Sequence, residues 1–209
     1  MLSSTQSRIE SLLTTIDQLG MVTIRQLRQK HDLKSYRNAC RVVKQLEPYI
    51  HTTFFNKEKV LYLNKDGREL IGSTKEMKRN SLIEHILLAN EAYFYFKCPL
   101  DWKREYTIEV KDRIVFNRMN IVKKKVIADA SFTRNGYMHL IEIDNIRDMS
   151  DNKNKIEIYL EMWTFIKKEF NQLPILYFFT TTEIRKRKLD HWLNQCKLRH
   201  EVLVINDLR

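Results

Sequence analysis

The sequence predicts an α+β chain in two parts. A helical N-terminal third is closed by a β-hairpin, and a larger α/β part is built on a mixed sheet. Three observations carry this. Helical periodicity recurs before residue 50 and gives way to two strand-like runs, IHTTFF and VLYL, around the polar turn NKEK. Alternating β-type runs cluster between residues 102 and 144. The apolar run 173-LPILYFFT-180 then lies between two helical patterns, as a strand buried on both faces would.

With 209 residues and 43% hydrophobic content, the chain can build two cored domains. Only 4 Gly and 3 Pro are present, which leaves no long flexible linker. The net charge of +11 favours an anionic partner, most commonly nucleic acid. Cys40, Cys98 and Cys196 are odd in number and widely spaced, against a disulfide framework or a zinc finger. The opening MLSSTQSRIE lacks a basic stretch followed by an apolar one, so no signal peptide is expected. No apolar run reaches the ~18 residues of a membrane span. The expected location is cytoplasmic, with no membrane partner.

In order along the chain, Ile9, Leu12, Leu13, Ile16 and Leu19 mark a first helix that Gly20 ends. Thr23 can cap a second helix carrying Ile24 and Leu27. A third helix spans 34-KSYRNACRVVKQLEP-48, with Ser35 as N-cap and Pro48 as terminator. Its expected apolar stripe is Tyr36, Ala39, Cys40, Val43 and Leu46. Its polar stripe holds Lys34, Arg37, Asn38, Arg41 and Lys44 or Gln45, with no acid before Glu47. Three helices followed by a hairpin is the order of a winged helix-turn-helix, predicted over residues 1–72. The third helix would enter the major groove of double-stranded DNA. Lysines and arginines would contact phosphates, and Arg37 or Asn38 would reach base edges. Ser35, Tyr36 and the hairpin lysines Lys57 and Lys59 complete the expected contact set. Residues 1–80 hold 15 Lys and Arg against 8 Asp and Glu, so charge and motif agree.

The second domain is predicted over 73–209, including a helix at 81–97 opened by the capping box Ser81-x-x-Glu84. Strand-like segments 102–110, 114–116, 126–132 and 137–144 follow, the last two joined by the tight turn Arg134-Asn135-Gly136. A helix from about Lys153 to Phe170 should turn Ile156, Tyr159, Leu160, Trp163 and Ile166 inward. Strand 173–180, the basic helix EIRKRKLDHWLNQ and the strand EVLVI complete an αβββαβαβ order.

This order, with Asp129 in VIADASF and Glu142 and Asp144 in LIEID, resembles the PD-(D/E)xK nuclease core. The whole chain is similar to the replication-relaxation family of plasmid and mobile-element proteins. The matching residues are the N-terminal helices, the SLIEH helix, Trp102-x-x-Glu105, Ile-Ala-Asp-Ala, Ile-Glu-Ile-Asp and Lys155-x-x-x-Tyr159. The resemblance implies binding of plasmid DNA in connection with its replication or relaxation.

Metal-dependent phosphodiester cleavage needs carboxylates converging on Mg²⁺ and a lysine nearby. Asp129, Glu142, Asp144 and Glu105 are the candidate metal ligands, and Lys155 joins the first three as a candidate catalytic group. The departure is at Asp144, where the nuclease pattern expects lysine; Lys153 or Lys155 of the following helix could replace it. Three functional readings stay open. One is a non-catalytic double-stranded-DNA-binding accessory of replication, relaxosome assembly or transcriptional control, acting with proteins of those processes. Another is a Mg²⁺-dependent endonuclease. The third is a protein-binding adaptor. A homodimer is expected because operators are commonly paired half-sites.

Overall fold

A computed structural model describes residues 4–78, 82–116, 118–145 and 148–205, with the backbone alone over 110–123. Contacts divide the chain into two compact units, residues 1–90 and 91–209.

In the first unit, α1 (Ser4–Leu19) buries Leu12, Leu13, Ile16 and Leu19 on one face. It ends as its sequence requires: Gly20 takes φ +78° and donates its N–H to the Ile16 carbonyl at 2.8 Å. After β1 (Val22–Thr23), α2 (Ile24–Lys30) opens with a reciprocal capping box between Thr23 and Gln26. Next comes α3 (Tyr36–Lys44), capped by the Ser35 hydroxyl. A short 3₁₀ turn over Glu47–Tyr49 leads into β2 (Ile50–Phe55) and β3 (Glu58–Leu63), and α4 (Lys65–Ile71) follows. The three strands form an antiparallel sheet in the order β1-β3-β2.

The helix α5 (Ile83–Tyr95) begins in this unit. Ile83, Ile86 and Leu87 share a core cluster with Met21 and Val60. The Asn90 amide also donates to the Met21 carbonyl at 2.6 Å. These contacts move the division to 90/91 from the 72/73 that the sequence suggests. Ser81, the expected cap, lies outside the described residues.

The second unit holds a five-stranded sheet in the order β4-β5-β6-β7-β8. Strands β4 (Lys103–Phe116), β5 (Arg118–Arg134) and β6 (Tyr137–Asp144) are antiparallel. Strands β7 (Ile175–Thr180) and β8 (His200–Val204) continue in parallel from β6. The segments expected at 102–110 and 114–116 are one strand, because the backbone ladder runs unbroken through Lys111, Asp112 and Arg113.

Parallel neighbours need crossovers, and α6 (Met149–Phe170) and α7 (Glu183–Gln195) supply them. Their apolar faces (Ile156, Tyr159, Met162, Trp163, Leu189, Leu193) cover Leu140, Leu176, Phe178 and Val202. Met162 takes the inward place expected for Leu160, which is 44% exposed. Phe96, Phe132, His139, Tyr177 and Phe179 make a second, aromatic cluster. The mixed α/β class expected from the sequence holds. Among the described residues, no helix is long and apolar enough to cross a membrane.

Candidate functional site

In the second unit, β5 and β6 pair from Arg134↔Tyr137 to Ala130↔Ile141. Beyond that point the Asp129 carboxylate accepts the Ile143 N–H at 2.7 Å, and β6 continues against β7 with Glu142 opposite Phe178. Asp129 therefore sits in a fork between strands, a position that turns a side chain toward whatever covers the sheet.

What covers it is α6. Lys155 and Tyr159 are four residues apart and share a helix face. The Tyr159 hydroxyl donates to Glu142 Oε1 at 2.6 Å, Lys155 Nζ contacts Glu142 Oε2, and the same nitrogen lies 3.9 Å from Asp129 Oδ1. Glu142 is 1% exposed. Burial, followed by the neighbouring Asp129 charge, pushes its carboxyl up to about 8 from 4.5, against the pull of Lys155 and Tyr159. Burial thus works against the ionised form of Glu142, and the contacts from Lys155 and Tyr159 work for it. Burial and Glu142 hold the Tyr159 hydroxyl well above its usual range.

Asp144 belongs to a different network. Arg185 grips both its oxygens, the Nε contact being 2.7 Å, while the Thr180 hydroxyl and the Asn152 amide each donate at 2.7 Å. Burial alone would raise this carboxyl; the bonds from Arg185, Thr180 and Asn152 outweigh it and hold it below the usual value. Glu105 is exposed and lies between the pairs Arg104↔Ala130 and Tyr106↔Ala128, at the register position of Asp129. Its φ of +50° is left-handed, a conformation costing a non-glycine residue about 1–3 kcal/mol.

Of the four carboxylates expected to share a metal, two converge. Asp129 and Glu142 meet at Lys155, Asp144 is turned to Arg185, and Glu105 points to solvent. Among the described residues, no three His, Cys, Asp or Glu side chains gather as a metal-binding group. Asp129 and Glu142 still match the one or two carboxylates with which Mg²⁺ is usually held beside phosphates. The lysine missing after Glu142 has a counterpart in Lys155. Sequence reasoning missed Asn152 and Thr180, and it placed Arg185 only in a basic helix. Their one available signal was that a buried Asp144 needs donors.

In the first unit, Lys34 and Ser35 ahead of α3 and Tyr36, Arg37, Arg41 and Lys44 along it are all exposed. Ser35 Oγ accepts the Asn38 N–H at 3.2 Å. The Asn38 side chain spends both ends locally, donating to the Leu33 carbonyl at 2.9 Å and accepting from Arg41 at 2.8 Å. It thus orients Arg41 rather than standing open toward a base edge. Tyr36, expected in the apolar stripe, is 53% exposed, and Val42 is buried in its stead. A cavity of about 360 Å³ is lined by Tyr36, Cys40 and Lys44 of α3 and by Phe54, Lys57 and Lys59 of the hairpin.

No family model and no solved structure matches this chain. A stretch of it is 27% identical over 147 residues to "Dynein heavy chain-like protein 2" of Plasmodium falciparum (isolate 3D7). That match covers 60% of this chain and 2% of the relative. A likeness of that extent assigns no family.

Proposed function

We propose that the chain is a double-stranded-DNA-binding protein whose first unit acts as a winged helix-turn-helix, with α3 as the recognition helix. One observation carries the reading: α3 exposes Arg37, Arg41 and Lys44, no acid interrupts them, and the hairpin beside it adds Lys57 and Lys59. A helix of this width fits the major groove, and arginines there supply both phosphate and guanine contacts. The resemblance to replication-relaxation proteins supports an accessory role on plasmid or mobile-element DNA, with replication, relaxosome or transcription proteins as partners. The second unit then acts as a nuclease-like scaffold. The test is duplex binding by Arg37→Ala with Arg41→Ala, expected to be weaker on every sequence tried. Unchanged affinity would remove α3 as the contact.

The convergence of Asp129, Glu142 and Lys155 favours a second reading, a Mg²⁺-dependent endonuclease. Asp129 and Glu142 would hold the ion, Glu142 after giving up its proton, and the ion would supply Lewis acidity at a phosphate. In this reading Lys155 offsets charge developing beside both carboxylates, and Tyr159 fixes the Glu142 rotamer. Nicking of supercoiled plasmid with Mg²⁺, abolished in both Asp129→Ala and Glu142→Ala, would establish it. Intact binding without nicking rejects it.

A further inference from the structure

Beside the basic face of α3 the first unit exposes two aromatic rings. Phe54 is 67% exposed and Tyr36 53% exposed, and both line the cavity between α3 and the hairpin. The remaining wall is Ile24, Cys40 and Val43, with Lys44, Lys57, Lys59 and Glu47 around it. Of the nearby acids, Glu58 faces Arg25 at 3.8 Å, so lysine dominates the charge left at the cavity.

The turn beneath it adds a second observation. Phe55 pairs with Glu58 across a two-residue loop in which both Asn56 (φ +46°) and Lys57 (φ +65°) are left-handed. Such loops favour Asn-Gly, because glycine alone takes the second position without a steric cost. Lysine stands there instead, against the conformational preference of the turn, at the edge of the cavity. Local strain retained at one position points to a use for the side chain.

We propose that this cavity receives one unpaired base of a nucleic-acid strand, stacked on Tyr36 and Phe54, with Lys44, Lys57 and Lys59 on the flanking phosphates. This rests on the DNA-binding reading above and narrows its ligand to duplex DNA that carries an unpaired base. In an intact duplex every base face is covered by its neighbours, so the two rings would meet only base edges, sugar and phosphate, with no free face to stack on. An unpaired base offers a free π-face at little unstacking cost, and stacking on aromatic side chains is indifferent to base identity. At about 360 Å³ the cavity has the size of a small-ligand site and exceeds a water pocket. Its apolar wall suits a planar ring better than a phosphate.

The experiment uses the full chain and two probes, a perfectly paired duplex and the same duplex with one unpaired 2-aminopurine. The fluorescent base reports stacking directly, and titration reports affinity. The wild type should bind the second probe more tightly and quench its emission. Phe54→Ala should weaken that probe by about tenfold, relieve the quenching and leave the paired duplex unaffected. Lys57→Gly relaxes the turn, so it should melt no lower than the wild type while losing affinity for the unpaired-base probe. Equal wild-type affinity for the two probes, or quenching unchanged in Phe54→Ala, overturns the proposal while leaving duplex binding intact. If neither probe binds, the DNA-binding reading falls with it.

Discussion

Glu142→Gln isolates the most unusual group in the second unit. Glutamine keeps the shape of the side chain and still accepts the Tyr159 hydroxyl, so what disappears is the titration. In the folded chain the carboxyl ionises near pH 8, against 4.5 when unfolded. Below pH 4.5 both states hold the proton and Glu142 contributes nothing to pH dependence. As pH rises from there, the unfolded chain ionises while the fold retains its proton, and stability drains away until about pH 8. At 1.36 kcal/mol per pH unit, the full displacement is worth up to about 5 kcal/mol. All three tryptophans (Trp102, Trp163 and Trp192) lie in the second unit, so their fluorescence follows its unfolding in urea. The difference between variant and wild type should grow in favour of Glu142→Gln from pH 4.5 to about 8. A flat difference across the window would refute the burial argument.

Other substitutions probe separate parts of the structure. Arg185→Ala strips a buried Asp144 of its cation and should cost about 3–5 kcal/mol at neutral pH, read by the same fluorescence. Because that pair holds the Asp144 carboxyl low, the loss should shrink as pH falls through the acid range. Gly67→Ala should destabilise the first unit despite alanine's better helix propensity, since the new Cβ would lie 2.1 Å from the Tyr49 carbonyl oxygen. Thermal melting by circular dichroism checks it. Ser35→Ala removes the cap of α3 and should cost about 1 kcal/mol.

What the sequence made legible was local. Ser35, Thr23 and Gly20 act within a few residues of themselves, and each does in the structure what its type suggests. The order of strands and helices in the second unit follows from periodicity. Features set by distant partners were hidden. Asp144 and Arg185 are 41 residues apart, and neither neighbourhood announces the other. The packing of Ile83, Ile86 and Leu87 on Met21 and Val60 likewise joins segments that no pattern links. Leu160 and Met162 both suit an inner helix face, and only packing chooses between them. Tyr36 shows the same limit: its position fits an apolar stripe, but it stays exposed while Val42 is buried. Lys155 lies between these cases. Its spacing to Tyr159 was visible, but its meeting with Glu142 and Asp129 depends on how α6 crosses the strand fork.

The most direct test of the central claim is the salt dependence of duplex DNA binding for the wild type and for Arg37→Ala with Arg41→Ala. Each phosphate neutralised contributes about −0.9 to the slope of log affinity against log salt. If α3 lies against DNA through these arginines, the double substitution should weaken binding and flatten the slope by up to about 2. An unaltered slope and affinity would contradict the account.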